Sequence, residues 1–555
     1  MKKKSNLLLV ALLALCVVFS FTSCGSKEKA SELATKSEGP QKLTVAIQAN
    51  SFVSEYDNNY LTKYLEDKLG IEIEFYMLSV SPEDVRTQLS LLATGGKNLP
   101  DVLLTGGGTL TPEMILNYGA NGVFAPLDDY LDDPNKMPNY NAIPVEDKEI
   151  MEKAQKMADG STYSLSIYEP ETWNLTPNRM FINKAWLDKL GLEIPTTTDE
   201  LKDVLIAFRD NDPNGNGLKD EIGVYGWQAG GYGQNVIAAL MNSFVFWNNG
   251  LQNGGLSVAE DGKTVIAPFT TEEWRDGLRY MNGLFKEGVL SAATFTDSDT
   301  QFRATLNEET NCVALTSSGS LGSWPSAGKN PNFLEMALIP PLVGPKGVQY
   351  TPYTEYSPFQ CAFVLEGTDK MDLAVRFLDE FYNPETSIIC RFGEEGVDWT
   401  RDPEFLKNTT NSFIAAGMYE EPSLSYISNQ WLEVTNVTWR STNPRYATLA
   451  DTNSVTNGMI EFNPDDPTQL NAKNMDYYYD KHPEVVLPVL HYTVEEADKI
   501  QQAITNIPDY VNQSMARFIT GDMDIERDWN TYLSNLENMG LSTWLKTAQT
   551  AYDRI

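Results

Sequence analysis

The sequence predicts an α/β protein of two large lobes, the first built on a parallel sheet with helices on both faces. Three observations carry this. At 555 residues the chain is too long for one ordinary core. Residues 42–105 alternate strand-like and helix-like periods at short intervals, the rhythm of parallel strands joined by crossover helices. From residue 162 to 192, TYSLSIYEPETWNLTPNRMFINKAWLDKLGL, extended polar-aromatic segments precede a short helix, which marks a crossing into a second lobe. A composition of 42% hydrophobic and 11% aromatic residues is enough for a sizeable core.

The elements follow in order. KLTVAIQ places Leu43, Val45 and Ile47 at a period of two, a strand. Leu61, Tyr64, Leu65 and Leu69 have helical spacing, and Gly70 stands where a C-cap glycine belongs. IEIEFYML is a second strand. Val85, Leu89 and Leu92 mark the next helix, opened by Ser81–Pro82, and DVLLTGGG is a buried strand entering a glycine loop. Ligands of such sheets bind beyond the strands' carboxyl ends, so Gln48–Phe52 and Thr105–Thr109 are rim candidates. After the crossing, PTTTDELKDVLIAF opens a helix with Thr197 and Glu200 as a capping box and Leu201, Val204, Leu205 and Phe208 as its buried stripe. EDGKTVIAPF contains Gly262-Lys263-Thr264, but Ser257 occupies the place of a phosphate loop's first glycine, so Asp261-Gly262 reads as a hairpin turn. Near the end, Trp529, Tyr532, Leu533, Leu536 and Met539 share one helical face that Gly540 terminates.

Composition excludes several functions. Against 42 basic residues stand 76 acidic ones, a net charge of −34. Such a surface repels nucleic acid and anionic lipid and disfavours a polyanionic substrate. Two histidines, His482 and His491, leave little for imidazole catalysis or zinc. No nucleophile elbow, zinc-protease or phosphate-loop motif occurs, though a pair of glycosidase carboxylates stays open among so many acids. At the N-terminus, MKKK is a basic n-region and Leu7–Phe19 an apolar run too short to span a membrane. Thr22-Ser23-Cys24-Gly25 resembles a bacterial lipobox, with Phe21 in place of the usual leucine. It implies removal of residues 1–23 and acylation of Cys24; an ordinary secretory peptide cut nearby is the alternative. Gly25–Pro40 reads as a flexible polar tether. Cys312, Cys361 and Cys390 are odd in number and widely spaced, and read as buried free thiols.

DPNGNGLKDE offers the oxygen ladder of an EF-hand: Asp212 first, Asn214 third, Asn216 fifth, the turn glycine Gly217 sixth, the Leu218 carbonyl seventh and Asp220 ninth. Gly223 replaces the bidentate glutamate at the twelfth place, and Glu221 is the available substitute. Such donors suit a hard cation and disfavour zinc or copper. An Asx-rich turn after a helix is the plain alternative. Catalysis is the poorest reading, since a coordinating carboxylate is badly placed to move protons.

RMFINKAWLDKLGLEIPTTTDEL, DPNGNGLKDEIGV, DGLRYMNGLFKEGVL, GEEGVDW and ARFITGDMDIERDWNTYLSNLENMGL, in this order, resemble the landmarks of bacterial extracellular solute-binding lipoproteins of carbohydrate ABC importers, in the long branch of alginate-oligosaccharide and lipoprotein-A-type binders. The resemblance implies a two-lobe periplasmic-binding-protein type II fold with discontinuous lobes and a hinge. Its expected parts are a signal peptide (1–23), anchor and tether (24–40), lobe 1 (41–165 and 326–400) and lobe 2 (166–325 and 401–555); residues 400–490 match no landmark. It implies an extracytoplasmic monomer held to the cell membrane by lipid (palmitate) on Cys24. It also implies structural Ca2+ at Asp212, Asn214, Asn216, Leu218, Asp220 and Glu221. An oligosaccharide would be captured in the cleft, without catalysis, and delivered to ABC permease subunits. A secreted carbohydrate-active hydrolase and a surface glycan adhesin are the competing readings.

Sugar rings stack on aromatic faces and need polar partners at their hydroxyl edges. Trp186, Trp274, Trp529 and Trp544 sit in helical patterns and read as core. Trp173, Trp227, Tyr232, Trp324 and Trp399 lie in glycine- or proline-rich segments and read as cleft residues, joined by Tyr353, Glu355, Tyr356 and Arg391. Trp173 leads because it lies at the crossing.

Overall fold

The structure, a computed structural model, describes residues 39–95, 99–230, 232–250, 252–319, 331–428 and 434–555. The signal segment, Cys24, most of the tether and Trp324 lie outside them. The strands are β1 (Gln41–Gln48), β2 (Ile71–Leu78), β3 (Val102–Leu104), β4 (Leu165–Tyr168), β5 (Arg179–Asn183), β6 (Ile222–Val224), β7 (Ser257–Val258), β8 (Val265–Ile266), β9 (Val313–Ser318), β10 (Met336–Ile339), β11 (Phe359–Val364), β12 (Trp399–Thr400), β13 (Leu424–Tyr426), β14 (Arg445–Tyr446) and β15 (Val455–Asn457).

The first lobe is a six-stranded sheet of order β14-β4-β11-β3-β1-β2. β1 pairs in parallel with β2 and β3, as the rhythm predicts. β11, arriving from far along the chain, inserts antiparallel between β3 and β4. Both faces are buried at the centre of the sheet, which is why β3 reads as a continuous apolar run, whereas the edge strand β2 keeps exposed positions among its buried ones. Leu43, Val45, Ile47, Val102 and Leu104 face one core, closed by Leu61 and Leu65 of the Tyr60–Leu69 helix. Ala46, Leu103 and Phe363 face the other, closed by Val85 and Leu89 of the Pro82–Gly95 helix. Gly70, at φ 65°, makes the left-handed turn that sends the chain straight into β2.

The second lobe carries a four-stranded sheet, β10-β5-β9-β6. Met180, Ile182 and Leu315 pack against Leu201, Leu205 and Phe208 of the Thr198–Asn211 helix, whose capping box is formed. The C-terminal helices enter the same core through Ile507, Val511, Tyr532, Leu536 and Trp544. Trp186, Trp274, Trp529 and Trp544 are all buried. β7 and β8 form the expected hairpin around Asp261-Gly262, and Cys312, Cys361 and Cys390 are free.

Strand pairing shifts the expected lobe boundaries. Ser166–Tyr168 still belongs to the first sheet, so the crossing falls after residue 168. Met336–Ile339 pairs with β5, so the return expected at 326 comes only between β10 and β11. β14, expected in lobe 2, pairs with β4 in the first sheet. β12, β13 and β15 form a third, small sheet.

That small sheet overturns one expectation. Trp399 stands in a glycine-rich stretch, yet β12 pairs with β13 and buries the indole completely. It packs with Phe392 and Leu424, and its Nε1 donates to the Gly393 carbonyl at 2.8 Å. Trp399 is core, not a cleft residue. Tyr353 is buried too, stacked on the His482 ring at 3.8 Å. Replacing a buried tryptophan by alanine costs roughly 3–5 kcal/mol. Trp399→Ala is therefore expected to lower the unfolding free energy by that amount, read by denaturant titration, while the remaining folded protein binds ligand with unchanged affinity; a loss of affinity at unchanged stability would place the indole in the cleft after all.

Candidate functional site

The crossing Glu169–Asn178 joins the carboxyl edges of both sheets. β4 runs parallel to β14 and ends at Tyr168. In the second sheet β6 and β9 are parallel, and antiparallel β5 begins at Arg179 opposite Ser318, the last residue of β9. The segment thus lies where open α/β sheets bind ligands.

A chain of polar contacts runs along it. Arg445 forks onto Glu169, Nε to Oε1 at 2.9 Å and Nη2 to Oε2 at 2.8 Å. Arg391 pairs with the same carboxylate and, through Nη2, with Glu171. Burial alone would raise the Glu169 pKa, but the Arg391 and Arg445 charges outweigh it and hold the carboxyl at about 2. Glu171 accepts from Asn174 Nδ2. The Tyr232 hydroxyl, from the second lobe, donates to Asn174 Oδ1 at 2.6 Å. The Glu169 amide donates to the Tyr356 hydroxyl at 2.7 Å, and the Tyr356 ring meets Tyr168 edge-on.

Two aromatics flank this chain. Trp173 is half-buried against Phe413, ring centroids 5.5 Å apart, and its carbonyl accepts from Arg179 Nη2 at 3.0 Å. Tyr232 is 37% exposed, enough for a ligand to meet its ring. The fold thus brings together Trp173, Tyr232, Tyr356 and Arg391. Trp227 follows β6 at the same edge, half-buried against the outer core of that sheet. Glu355 is exposed and has no bond to this chain among the described residues; its carbonyl accepts from Gln252. On the first lobe's rim, Gln48 Oε1 accepts from the Gly106 amide and the Thr109 hydroxyl, both at 2.8 Å, tying the two rim loops together.

Sequence reasoning missed Glu169, Glu171, Asn174, Arg179 and Arg445. The alternating acids of YEPETWN were a visible signal; their arginine partners, at 391 and 445, were not. The pair does not suit glycoside hydrolysis. A general acid needs a raised pKa, and Glu169 is held low by two guanidinium groups. A surface depression of about 320 Å3 between Phe244, Tyr280 and Lys346 shares no residue with this cluster. Its lysine is already paired with Asp276 and Glu273.

The loop Asp212–Glu221 lies at the other end of the second sheet, before the amino end of β6. Asp212 adopts φ 45°, with Gly215 and Gly217 at 76° and 77°. Asp212 accepts from the amides of Gly215 and Gly217 at 2.9 and 3.0 Å, Asn214 from Asn216 at 3.1 Å, and Asn216 from Leu218 at 2.7 Å. The Asp220 carboxylate takes amide hydrogens from Asn214 and Asn216. Glu221 Oε1 is buried with no hydrogen-bond partner. Burial first, then the Asp220 and Asp212 charges, push its carboxyl above the usual range. Among the described residues no cluster of three His, Cys, Asp or Glu side chains is placed for a metal; this loop depends on amide and carbonyl oxygens as well. An all-oxygen donor set with uncompensated negative charge fits a hard divalent cation.

The profile of the family described as bacterial extracellular solute-binding protein matches residues 50–387. The chain is 27% identical over 567 aligned residues to the fructooligosaccharide ABC transporter substrate-binding protein FusA of Streptococcus pneumoniae, covering 99% of this chain and 98% of that one. It is 26% identical to the lipoprotein LipO of Bacillus subtilis over 319 residues, 55% of this chain and 58% of LipO. The solved structure of FusA in complex with kestose superposes with a TM-score of 0.73 at 22% identity, covering 93% of this chain and 99% of that one. A FusA EF-hand mutant in complex with fructo-nystose superposes equally well, at 0.73. The two-lobed α/β architecture is that of periplasmic-type solute-binding proteins, and the chain belongs to the bacterial extracellular solute-binding proteins.

Proposed function

We propose that the cleft at the crossing takes a neutral oligosaccharide of the fructo-oligosaccharide class. The protein is a binding subunit, not an enzyme; it captures oligosaccharide outside the cytoplasm and hands it to an ABC importer. The arrangement of Trp173 and Tyr232 around Glu171 and Asn174 carries this reading. Two aromatic faces suit the apolar faces of sugar rings, and a carboxylate and an amide between them suit hydroxyl groups. Full-length similarity to FusA supports the sugar class. Calorimetry of the purified protein with kestose and fructo-nystose tests it: binding without turnover is expected. Trp173→Ala should weaken binding at least tenfold and leave the melting of the empty protein nearly unchanged. No heat with any glycan, or release of free sugar, would sink the reading.

We also propose Ca2+ at Asp212, Asn214, Asn216, Leu218, Asp220 and Glu221, with a structural role. The orphaned Glu221 oxygen supports it, as does the EF-hand of FusA. The cation would draw the loop's oxygens together and pin the end of the Thr198–Asn211 helix to β6. A ligand bound only by the native state stabilises it by about 2.7 kcal/mol at a hundredfold excess over Kd. Chelation should lower the melting temperature, and Asp212→Ala with Asp220→Ala should abolish that response. An unchanged melting curve after chelation would refute the site.

Acylated Cys24 as the mature N-terminus is the third proposal, supported by the signal pattern and by the lipoprotein relative LipO. Mass spectrometry of the protein from its host is expected to find a lipid-modified cysteine, and Cys24→Ala to release the protein from the membrane. An unmodified terminus elsewhere contradicts it.

A further inference from the structure

Arg179 differs from Arg391 and Arg445, the arginines that pair with the acids of the crossing. Arg391 and Arg445 are compensated by Glu169 and Glu171, and despite burial these carboxylates hold their guanidinium groups above the ordinary value. Arg179 is 4% exposed and forms no ion pair among the described residues. Its Nε has no hydrogen-bond partner. Burial pulls its pKa down, and only the Tyr232 and Tyr478 hydroxyls nearby oppose this. The carbonyl of its neighbour, Asn178 Oδ1, is also buried without a partner.

An isolated buried charge is costly, and apolar replacements of buried ion pairs are often neutral or stabilising. Packing alone therefore gives no reason to keep a guanidinium here. Its contacts give another. Nη2 donates to the Trp173 carbonyl, and the group lies beside the Tyr232 hydroxyl. These are the two aromatics the cleft offers a sugar. Trp173 belongs to the crossing, and Tyr232 to the second lobe.

We infer that Arg179 is a positioning residue for ligand, which holds the Trp173 backbone and the Tyr232 ring at the angle a sugar ring needs, and which the fold itself does not require. The inference rests on the reading of the cleft as a fructo-oligosaccharide site. It makes stability and affinity move in opposite directions. Arg179→Met keeps the length of the side chain and removes the charge. The empty protein should then melt at the same or a higher temperature, while affinity for kestose falls at least tenfold. Arg179→Lys keeps a charge without the planar fork and should restore only part of that affinity. Tyr232→Phe should weaken binding as well. Because Arg179 acts through Tyr232, the double variant Arg179→Met/Tyr232→Phe should lose less than the two single losses combined. An Arg179→Met protein that melts lower or fails to fold makes the residue structural and overturns the inference. So does unchanged kestose affinity, and so do strictly additive losses in the cycle. If the unmodified protein binds kestose, each of those failures leaves the cleft assignment standing; if it binds no fructo-oligosaccharide, the assignment falls and this inference with it.

Discussion

Glu169 is a carboxylate almost without water, its side chain 8% exposed between Arg391 and Arg445. A charge so placed is tolerable only when its partners are charged, well aligned and satisfied themselves, and the two-point fork of Arg445 meets that condition. The pairing joins three segments distant in sequence: the end of β4, the Pro384–Phe392 helix and β14. The polar chain along the crossing depends on it. The same Arg391 fixes Glu171, Glu171 fixes Asn174, and Asn174 receives Tyr232. A polar surface held in this way loses little side-chain freedom when a ligand arrives, which is where much of the cost of binding otherwise lies.

Strength is distributed unevenly along this chain, and that suits a hinge. The ionic contacts all lie on the first lobe and the start of the crossing. The contact reaching the second lobe from Asn174 is one hydrogen bond between neutral groups, Tyr232 to Asn174. A bond of that kind contributes about 1 kcal/mol net, whereas separating a buried ion pair costs about 3–5 kcal/mol. Lobe opening can break the former and leave the latter intact. The two sheets each have their own core, the arrangement on which two-lobed binding proteins rely when their lobes close.

Local physics made part of this molecule legible in the sequence. The first strands and helices, the capping box at Thr197 and the hairpin at Asp261-Gly262 are set by neighbours a few residues apart. The polar turn from Asp212 to Glu221 was legible as a turn for the same reason, since its hydrogen bonds close within a few residues. The failures share the opposite cause. Trp399 looked like a loop residue because its glycines are local, while the strand that buries it begins at Leu424. The return to lobe 1 was placed too early because β10 pairs with β5, far upstream. The acids before and after Pro170 were visible, yet their meaning depends on Arg391 and Arg445, which only the sheet order brings near. Arg179 carried no sequence signal at all: a lone arginine becomes unusual only when burial leaves it without a carboxylate.

The charge of the whole chain bears on which ligand such a cleft can serve. A protein of net charge −34 surrounds itself with a field that slows the approach of anions, most of all at low ionic strength. The arginines at the crossing do not reverse that field at a distance, since Glu169 and Glu171 neutralise two of them within a few ångströms. A neutral saccharide feels neither effect. It approaches the protein unhindered, and charges paired as these are stay strongly polar at contact but nearly cancel beyond it. Local pairing therefore does two things together: it makes the buried charges tolerable to the fold, and it confines their field to short range.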